Sequence, residues 1–426
     1  MLARQLGRWR LGDAIRCVAF IGVFLLAWIT LRPFPDLGQL ELRDLTTGNE
    51  TLTYAAFGGF ALLIVGLALR DNLQGLRSLL VPSFVLFAGW IVATVLLSLD
   101  VDTSIRRFAL TACVIAVAAA AMLLPKSEGE LARWLAVASL TMLVMCYLGL
   151  VLAPGRSIHL ATDAMEPLLA GDWRGVFGHK NAAAAMMALV SFIGLYIMRR
   201  GLLLSGVAVT GLAVVFLFFS GGKSALALWI FVLLSGGLVT ITHSSTIRAV
   251  ICLVPLVLMN LLSVGTVVSD KLSELVDMLP LDATFTGRTD IWTFALSSLS
   301  QRLSTGYGFA AFWGSNSIKN LPEGMEWAAT ASHSHNGYLD TALAMGLPGL
   351  ALLIAVVVIG PLKNYTAARN GGNDGPLATM FLQIWLFGIL LSSMESFYLD
   401  RADPIWFTFL FAVFGLHYLA RFRLQD

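Results

Sequence analysis

The sequence predicts an all-α polytopic membrane protein with about 12 transmembrane helices and one large outer loop between spans 9 and 10. Three observations predict it. Of 426 residues, 58% are hydrophobic and only 13% are charged, and the mean hydropathy is +0.80, more apolar surface than a water-soluble fold can hide. The apolar residues gather in runs of about 20, the length a helix needs to cross the hydrocarbon core. Arginine and lysine collect in every second connection between the runs, as they do on the cytoplasmic side of membrane proteins.

The first run, near 14–32, has full membrane length and no small-residue cleavage site after it, so it reads as a retained helix rather than a signal peptide. Runs near 51–69, 79–99, 108–124, 134–153, 180–198, 202–219, 224–242, 249–268, 337–360, 377–397 and 403–420 complete the set. Cys17, Cys113, Cys146 and Cys252 all fall inside these runs, which points to packing and away from a disulfide framework or a Cys-based metal site. The net charge of +2 carries little information, because distribution across the two faces matters more.

Arg4, Arg8, Arg10 and Arg16 precede or open the first run and place the N-terminus inside. Inner connections then hold Arg70 and Arg77, Lys126 and Arg133, Arg199 and Arg200, Arg248, and Lys363 with Arg369, while Arg421 and Arg423 lie in the tail. The outer face owns the two long loops, 154–179 and 269–336.

That outer face also carries cations, and they stand at helix starts. Arg106 and Arg107 precede the fourth span, His179 and Lys180 the sixth, Lys223 the eighth, His335 the tenth and Arg401 the twelfth. A helix N-terminus already presents unpaired N–H groups and about half a positive charge, so a basic side chain there opposes the macrodipole. Any one of these residues can be read as snorkelling to lipid headgroups. The repetition of the pattern on one face favours an anion site, and phosphate is the anion most often held in this way.

The long outer loop contains TGRTDIWTFALSSLSQ, 286–301, with Ile291, Trp292, Ala295 and Leu299 at helical spacing and Thr286 or Thr289 as candidate caps. It predicts a short amphipathic helix resting on the membrane or on other spans, with Arg288 at its start. GYGFAAFWG, 306–314, follows; its aromatic residues suit either an interfacial belt or the faces of sugar rings. His335 then stands at the start of the tenth span, where the helix N-terminus disfavours the imidazolium, so a neutral ring is available as general base. Asn336 is a candidate cap, with Tyr338 and Asp340 in the first turn. The alternatives for His333 and His335 are an interfacial pair without function, or two metal ligands, although no nearby Cys or carboxylate spacing completes a set.

HNGYLDTALAMGLPG, 335–349, resembles the O-antigen ligase and polymerase superfamily: His-Asn, nine residues, Gly, two residues, Gly. GVFGHKN at 175–181, FFSGGKSAL at 218–226, and GRTDIW at 287–292 followed by GYGFAAFW resemble it in order, and the combination is most like the exopolysaccharide-polymerase branch. Where many relatives carry Arg, this chain has Lys223, which keeps the charge and loses the bidentate fork. The resemblance implies a GT-C-like glycosyltransferase architecture and inverting, metal-independent transfer of glycan from undecaprenyl diphosphate on the periplasmic face of the bacterial inner membrane. It makes the outer loops periplasmic and both termini cytoplasmic. No cofactor or nucleic acid is implied, and a flippase or co-polymerase is a possible partner.

The residues fit such chemistry, since no nucleotide sugar or ATP is available outside and a lipid-linked diphosphate brings its own leaving group. In this reading His335 is the base; Arg288, Lys223, Lys180 and His179 hold the diphosphate, with Asn336 beside them, and Trp173, Trp313 or Trp327 stack on sugars. The acceptor is a second lipid-linked glycan for a polymerase or lipid A core for a ligase. A secondary transporter is the alternative of another class, but no repeat relates the two halves and ionisable residues gather at span ends. Glu395 is the exception, near the end of the eleventh span, where it suits a transport site or an outer-face pair with Arg401.

Overall fold

The computed structural model describes residues 11–38, 50–163, 166–278, 288–313 and 331–424. Among them an apolar helix lies on each expected run, and an additional helix lies in the long loop. In chain order these are α1 (Leu11–Ile29), α2 (Glu50–Asp71), α3 (Pro82–Leu96), α4 (Val101–Ala121), α5 (Glu128–Leu152), α6 (Lys180–Arg199), α7 (Leu203–Phe219), α8 (Lys223–Ile241), α9 (Ser245–Leu262), the loop helix α10 (Arg288–Gln301), α11 (Gly337–Asn370), α12 (Pro376–Leu391) and α13 (Pro404–Leu419). Among the described residues, 8 of these helices are long and apolar enough to cross a membrane; α3, α7, α12 and α13 are apolar but shorter.

Helix starts differ from the hydropathy runs where a polar cap fixes them. α4 begins at Val101 because the Asp100 carboxylate accepts from the Thr103 amide at 3.1 Å, and α5 begins at Glu128 because Ser127 accepts from Glu130 at 3.2 Å. These caps satisfy amides that no carbonyl reaches in the first turn. The eleventh run was expected to reach 397, but α12 ends at Leu391, which puts Glu395 in the turn beyond it.

α13 is buried along its whole length, and α12 along nearly all of it. They pack on each other; α13 also packs on α4, while α12 packs on α6 and α8. Trp28 of α1 donates to the Thr408 hydroxyl of α13 at 2.8 Å, so its indole N–H is not left bare in the core. Outward faces are also apolar: Leu62, Leu86, Leu204 and Leu234 are all exposed. Continuous exposed apolar faces of this kind match a lipid surround, where greasy surface costs nothing.

The loop helix rests on other helices. Its Trp292, Ala295 and Leu299 are buried with Leu339, Ala342 and Leu343 of α11, and Ile291 packs at the margin. Thr289 is the second residue of this helix and therefore not its cap, while Thr286 lies outside the described residues. A second short helix, Asp270–Asp277, also occupies the long loop.

α11 is broken at Gly346, whose φ of 68° and ψ of −178° belong to a region essentially reserved for glycine. The break, with Pro348 two residues on, frees the carbonyls of Leu343, Ala344 and Met345. Tyr307 N–H donates to the first at 2.8 Å, Gly308 N–H to the second at 3.1 Å and the Trp90 indole to the third at 2.9 Å. In return Leu347 N–H donates to Leu303 at 2.8 Å. The Gly-Tyr-Gly loop and the helix break therefore supply each other's missing partners. A Cβ at Gly346 would meet the Ser304 carbonyl carbon at 2.6 Å. Gly346→Ala is expected to cost about 2 kcal/mol or more through strain and overlap, read as a lower thermal midpoint in detergent. Gly59→Ala, where a new Cβ meets nothing within 4 Å, should leave the midpoint unchanged or raise it.

Candidate active site at converging helix ends

The loop before α6 folds back on itself through an antiparallel bridge between Ile158 and Trp173. His159 N–H donates to the Asp172 carbonyl and Gly171 N–H to His159, both at 2.9 Å. The fold-back brings Asp163, Glu166 and Asp172 to the first turn of α6. His159 is buried, its Nδ1 2.9 Å from Asp163, while its Nε2 accepts from the Lys180 amide at 3.2 Å. Accepting there requires a neutral ring, and burial pushes its pKa down despite the Asp163 carboxylate.

His179 is the cap of α6, its Nδ1 accepting from the Asn181 amide at 3.0 Å, and its Nε2 meets the Glu166 carboxylate. The hydrogen bond from His179 holds the Glu166 pKa down. Lys180 Nζ is 2.6 Å from Asp172. His179 thus serves the helix dipole as a capping acceptor, and the Lys180 charge is met by a carboxylate at once.

The turn before α8 is built against the same loop. Gly221, at φ +64°, leaves room for Asp172, whose carboxylate oxygen lies 2.5 Å from where a Cβ would stand. Trp173 N–H donates to the Phe219 carbonyl at 3.0 Å, and the Trp173 ring stacks on Phe219 with centroids 4.6 Å apart. Lys223, exposed at the start of α8, makes no ion pair among the described residues.

At the head of α11 the Asn336 side chain accepts from the Tyr338 and Leu339 amides at 3.1 and 3.0 Å. Its amide nitrogen donates to Asn260 of α9 at 3.0 Å and to the Ser393 carbonyl at 3.2 Å. Asn336 is therefore the cap that locks α11 to α9 and to the turn after α12. Asp340 accepts from the Ser334 amide at 3.1 Å and from the Trp313 indole at 2.7 Å, and Trp292 donates to the Ser334 carbonyl at 2.9 Å. These bonds hold His335 in a left-handed conformation, φ 56°, that few non-glycine residues adopt.

Glu395 collects the pieces. Its Oε1 accepts from Asn181 Nδ2 at 3.1 Å and from Arg288 Nη2 at 3.2 Å, and its Oε2 lies 3.3 Å from His335 Nδ1. Arg288 also donates to the Met394 carbonyl. Burial pushes the Glu395 carboxyl up, but the hydrogen bond from His335 and the charge of Arg288 outweigh it and hold the pKa at about 2. An ionised carboxylate only accepts, so His335 Nδ1 carries a proton, and in the neutral form of the ring the lone pair is on Nε2. Among the described residues that Nε2 makes no hydrogen bond, and the side chain keeps 31% of its exposure. The His333 ring is 4.2 Å away; burial and then the neighbouring His335 push its pKa down. Among the described residues no group of three His, Cys, Asp or Glu is placed to hold a metal.

Arg288, His335, Asn336, Lys180 and His179 are thus brought to one region, linked through Asn181 and Glu395, and the turn at Gly221, two residues before Lys223, packs on Asp172. The sequence marks Glu395 only as an exception. Its role is tertiary, since its partners lie 60, 107 and 214 residues away. The expected aromatic platforms differ. Phe309 is buried on Phe108 of α4, and Phe312 and Trp313 are buried among residues of α10 and α11, because the Gly-Tyr-Gly loop is folded inward. Trp173 is half-buried with one face on Phe219, and Trp327 lies outside the described residues.

Among protein-family models, the one described as Wzy_C, O-antigen ligase, matches residues 178–354. The match begins at the cap of α6 and ends beyond the break in α11, so it takes in the residues gathered here except Glu395 and the loop before α6. A comparison with curated proteins finds no match.

The Glu395 carboxyl ordinarily titrates at 4.5 and is held at about 2 in the folded chain. Its stabilising effect is complete above pH 4.5 and lost as pH falls toward 2. The wild-type chain should lose stability across that window in acid denaturation, and Glu395→Gln should flatten the pH dependence there.

Proposed function

We propose that this chain, whose residues 178–354 match the family model described as O-antigen ligase, catalyses inverting glycosyl transfer from an undecaprenyl-diphosphate-linked glycan, polymerising exopolysaccharide or O-antigen repeat units. The single observation that carries this reading is His335, whose Nδ1 is held by Glu395 and whose Nε2 is left to accept, beside the Arg288 guanidinium.

The acceptor hydroxyl gives its proton to His335 Nε2 while its oxygen attacks the anomeric carbon of the donor sugar. The bond from that carbon to the diphosphate oxygen breaks on the opposite face and its electron pair leaves with the diphosphate, so the configuration inverts. Glu395, beside Nδ1–H, stabilises the imidazolium that forms. Negative charge grows on the leaving oxygen, where fixed cations act in the transition state. Arg288 and Lys223 supply them, and Lys180 joins where the diphosphate competes with Asp172. Asn336 is a positioning residue through its cap, and His179 one through the start of α6. In this reading the chain spans the inner membrane twelve times, the 154–179 and 269–336 segments are periplasmic and both termini are cytoplasmic.

The ligase alternative uses the same donor and base and differs in taking lipid A core as acceptor. Purified chain given lipid-linked repeat units alone is expected to lengthen them; a strict requirement for lipid A core would assign it as a ligase instead. His335→Ala should lower the transfer rate by about 10² to 10⁴ without loss of donor binding, and an undiminished rate would remove His335 from the mechanism. Glu395→Gln, which keeps the shape and loses the charge, should lower turnover more than it raises the donor KM, measured by initial rates at varied donor.

A further inference from the structure

At the end of the helix bundle opposite His335, the start of α1, the ends of α2, α4 and α13, and the tail beyond α13 enclose a cavity of about 850 Å³. Arg16, Arg70, Lys126 and Arg423 line it with two carboxylates, Asp13 and Asp71. The carboxylates are shared: Asp13 meets both Arg16 and Lys126, the latter at 2.8 Å, and Asp71 meets Arg70 at 2.7 Å and Arg16 at 3.7 Å. Arg423 donates to the Gly371 carbonyl and has no carboxylate partner among the described residues. The positive charge of the lining is therefore only partly met.

Arg16 makes the case for a built site. It is 6% exposed with Asp13 and Asp71 on its terminal nitrogens, and its Nε is a buried donor with no hydrogen-bond partner among the described residues. A buried guanidinium is costly unless its charge is met, and an anion in the cavity would add to what Asp13 and Asp71, each shared with another cation, supply. Asn72 also lines the cavity, its side-chain oxygen accepting from the Gly75 amide at 3.0 Å. One wall is apolar, formed by Met122, Leu123 and Phe422. Cations beside an apolar wall at the end of a transmembrane bundle match a phosphate group attached to acyl chains.

We propose that this cavity binds the phosphate of an anionic phospholipid headgroup from the leaflet on that face, a site separate from the transfer chemistry. The same cations would also accept free phosphate, so the experiment separates the two sources. The full chain, purified in detergent, is incubated with dioleoyl phosphatidylglycerol or dioleoyl phosphatidylcholine and the retained lipid is read by native mass spectrometry. Wild type should retain phosphatidylglycerol in preference. The double variant Arg70→Gln, Arg423→Gln should retain about tenfold less, while Arg106→Gln at the other end should retain as much as wild type. In a parallel arm, inorganic phosphate is added to lipid-free protein and the thermal midpoint is followed. A rise with phosphate that the double variant lacks, without retained phosphatidylglycerol, would assign the site to soluble phosphate and overturn the lipid source. No preference over phosphatidylcholine with no response to phosphate, or equal retention by the double variant, would overturn the site itself.

Discussion

A single carboxylate, beyond the end of α12, holds together parts of the chain that the sequence keeps far apart. Glu395 receives Asn181 from α6, Arg288 from α10 and His335 from the entry to α11. A charged group so enclosed is tolerable only when its partners are in place, so the three elements and the turn that carries Glu395 are positioned as a set. Removing one partner leaves the others over-charged or under-bonded. That mutual dependence gives the site its geometry and fixes which nitrogen of His335 carries the proton.

The second constraint lies in the break of α11. A continuous helix through Gly346 would satisfy its own carbonyls and offer nothing to the Gly-Tyr-Gly loop. The break instead makes three carbonyls available, and the loop and Trp90 take them. With the loop pinned, its aromatic residues fill the space between α10 and α11. α10 then holds Arg288 at the level of His335. The spacing of Gly346 and Gly349 after His335 thus has a backbone reason here, upstream of any chemistry.

Much of this was legible in the sequence, for reasons that differ by element. Every apolar helix lies on a run that hydropathy located, since lipid demands length and apolarity from each segment by itself. Helix starts were misplaced where Asp100 and Ser127 decide them through one local hydrogen bond. Of the basic residues that the sequence marks at helix starts, Arg288 and His335 come together around Glu395. Electrostatics by chain position alone, however, did not show that Lys180 and Arg288 face carboxylates or that His179 is a capping acceptor. The aromatic run was the least readable: Trp313 has the composition of a sugar platform, and only the fold shows its indole bonded to Asp340. Glu395 carried one weak signal, a carboxylate near the end of an apolar run, and nothing in one sequence pairs it with Asn181.

We propose that the cations gathered at these helix ends hold the diphosphate of a lipid-linked donor, with His335 facing the acceptor. The most direct measurement is the position of that diphosphate in a cryo-electron microscopy structure of the full-length His335→Ala chain with donor bound. Phosphate oxygens are expected within hydrogen-bond reach of Arg288, near the starts of α6 and α8, with the anomeric carbon turned toward position 335. A diphosphate bound at the opposite end of the bundle, or out of reach of Arg288, would contradict it.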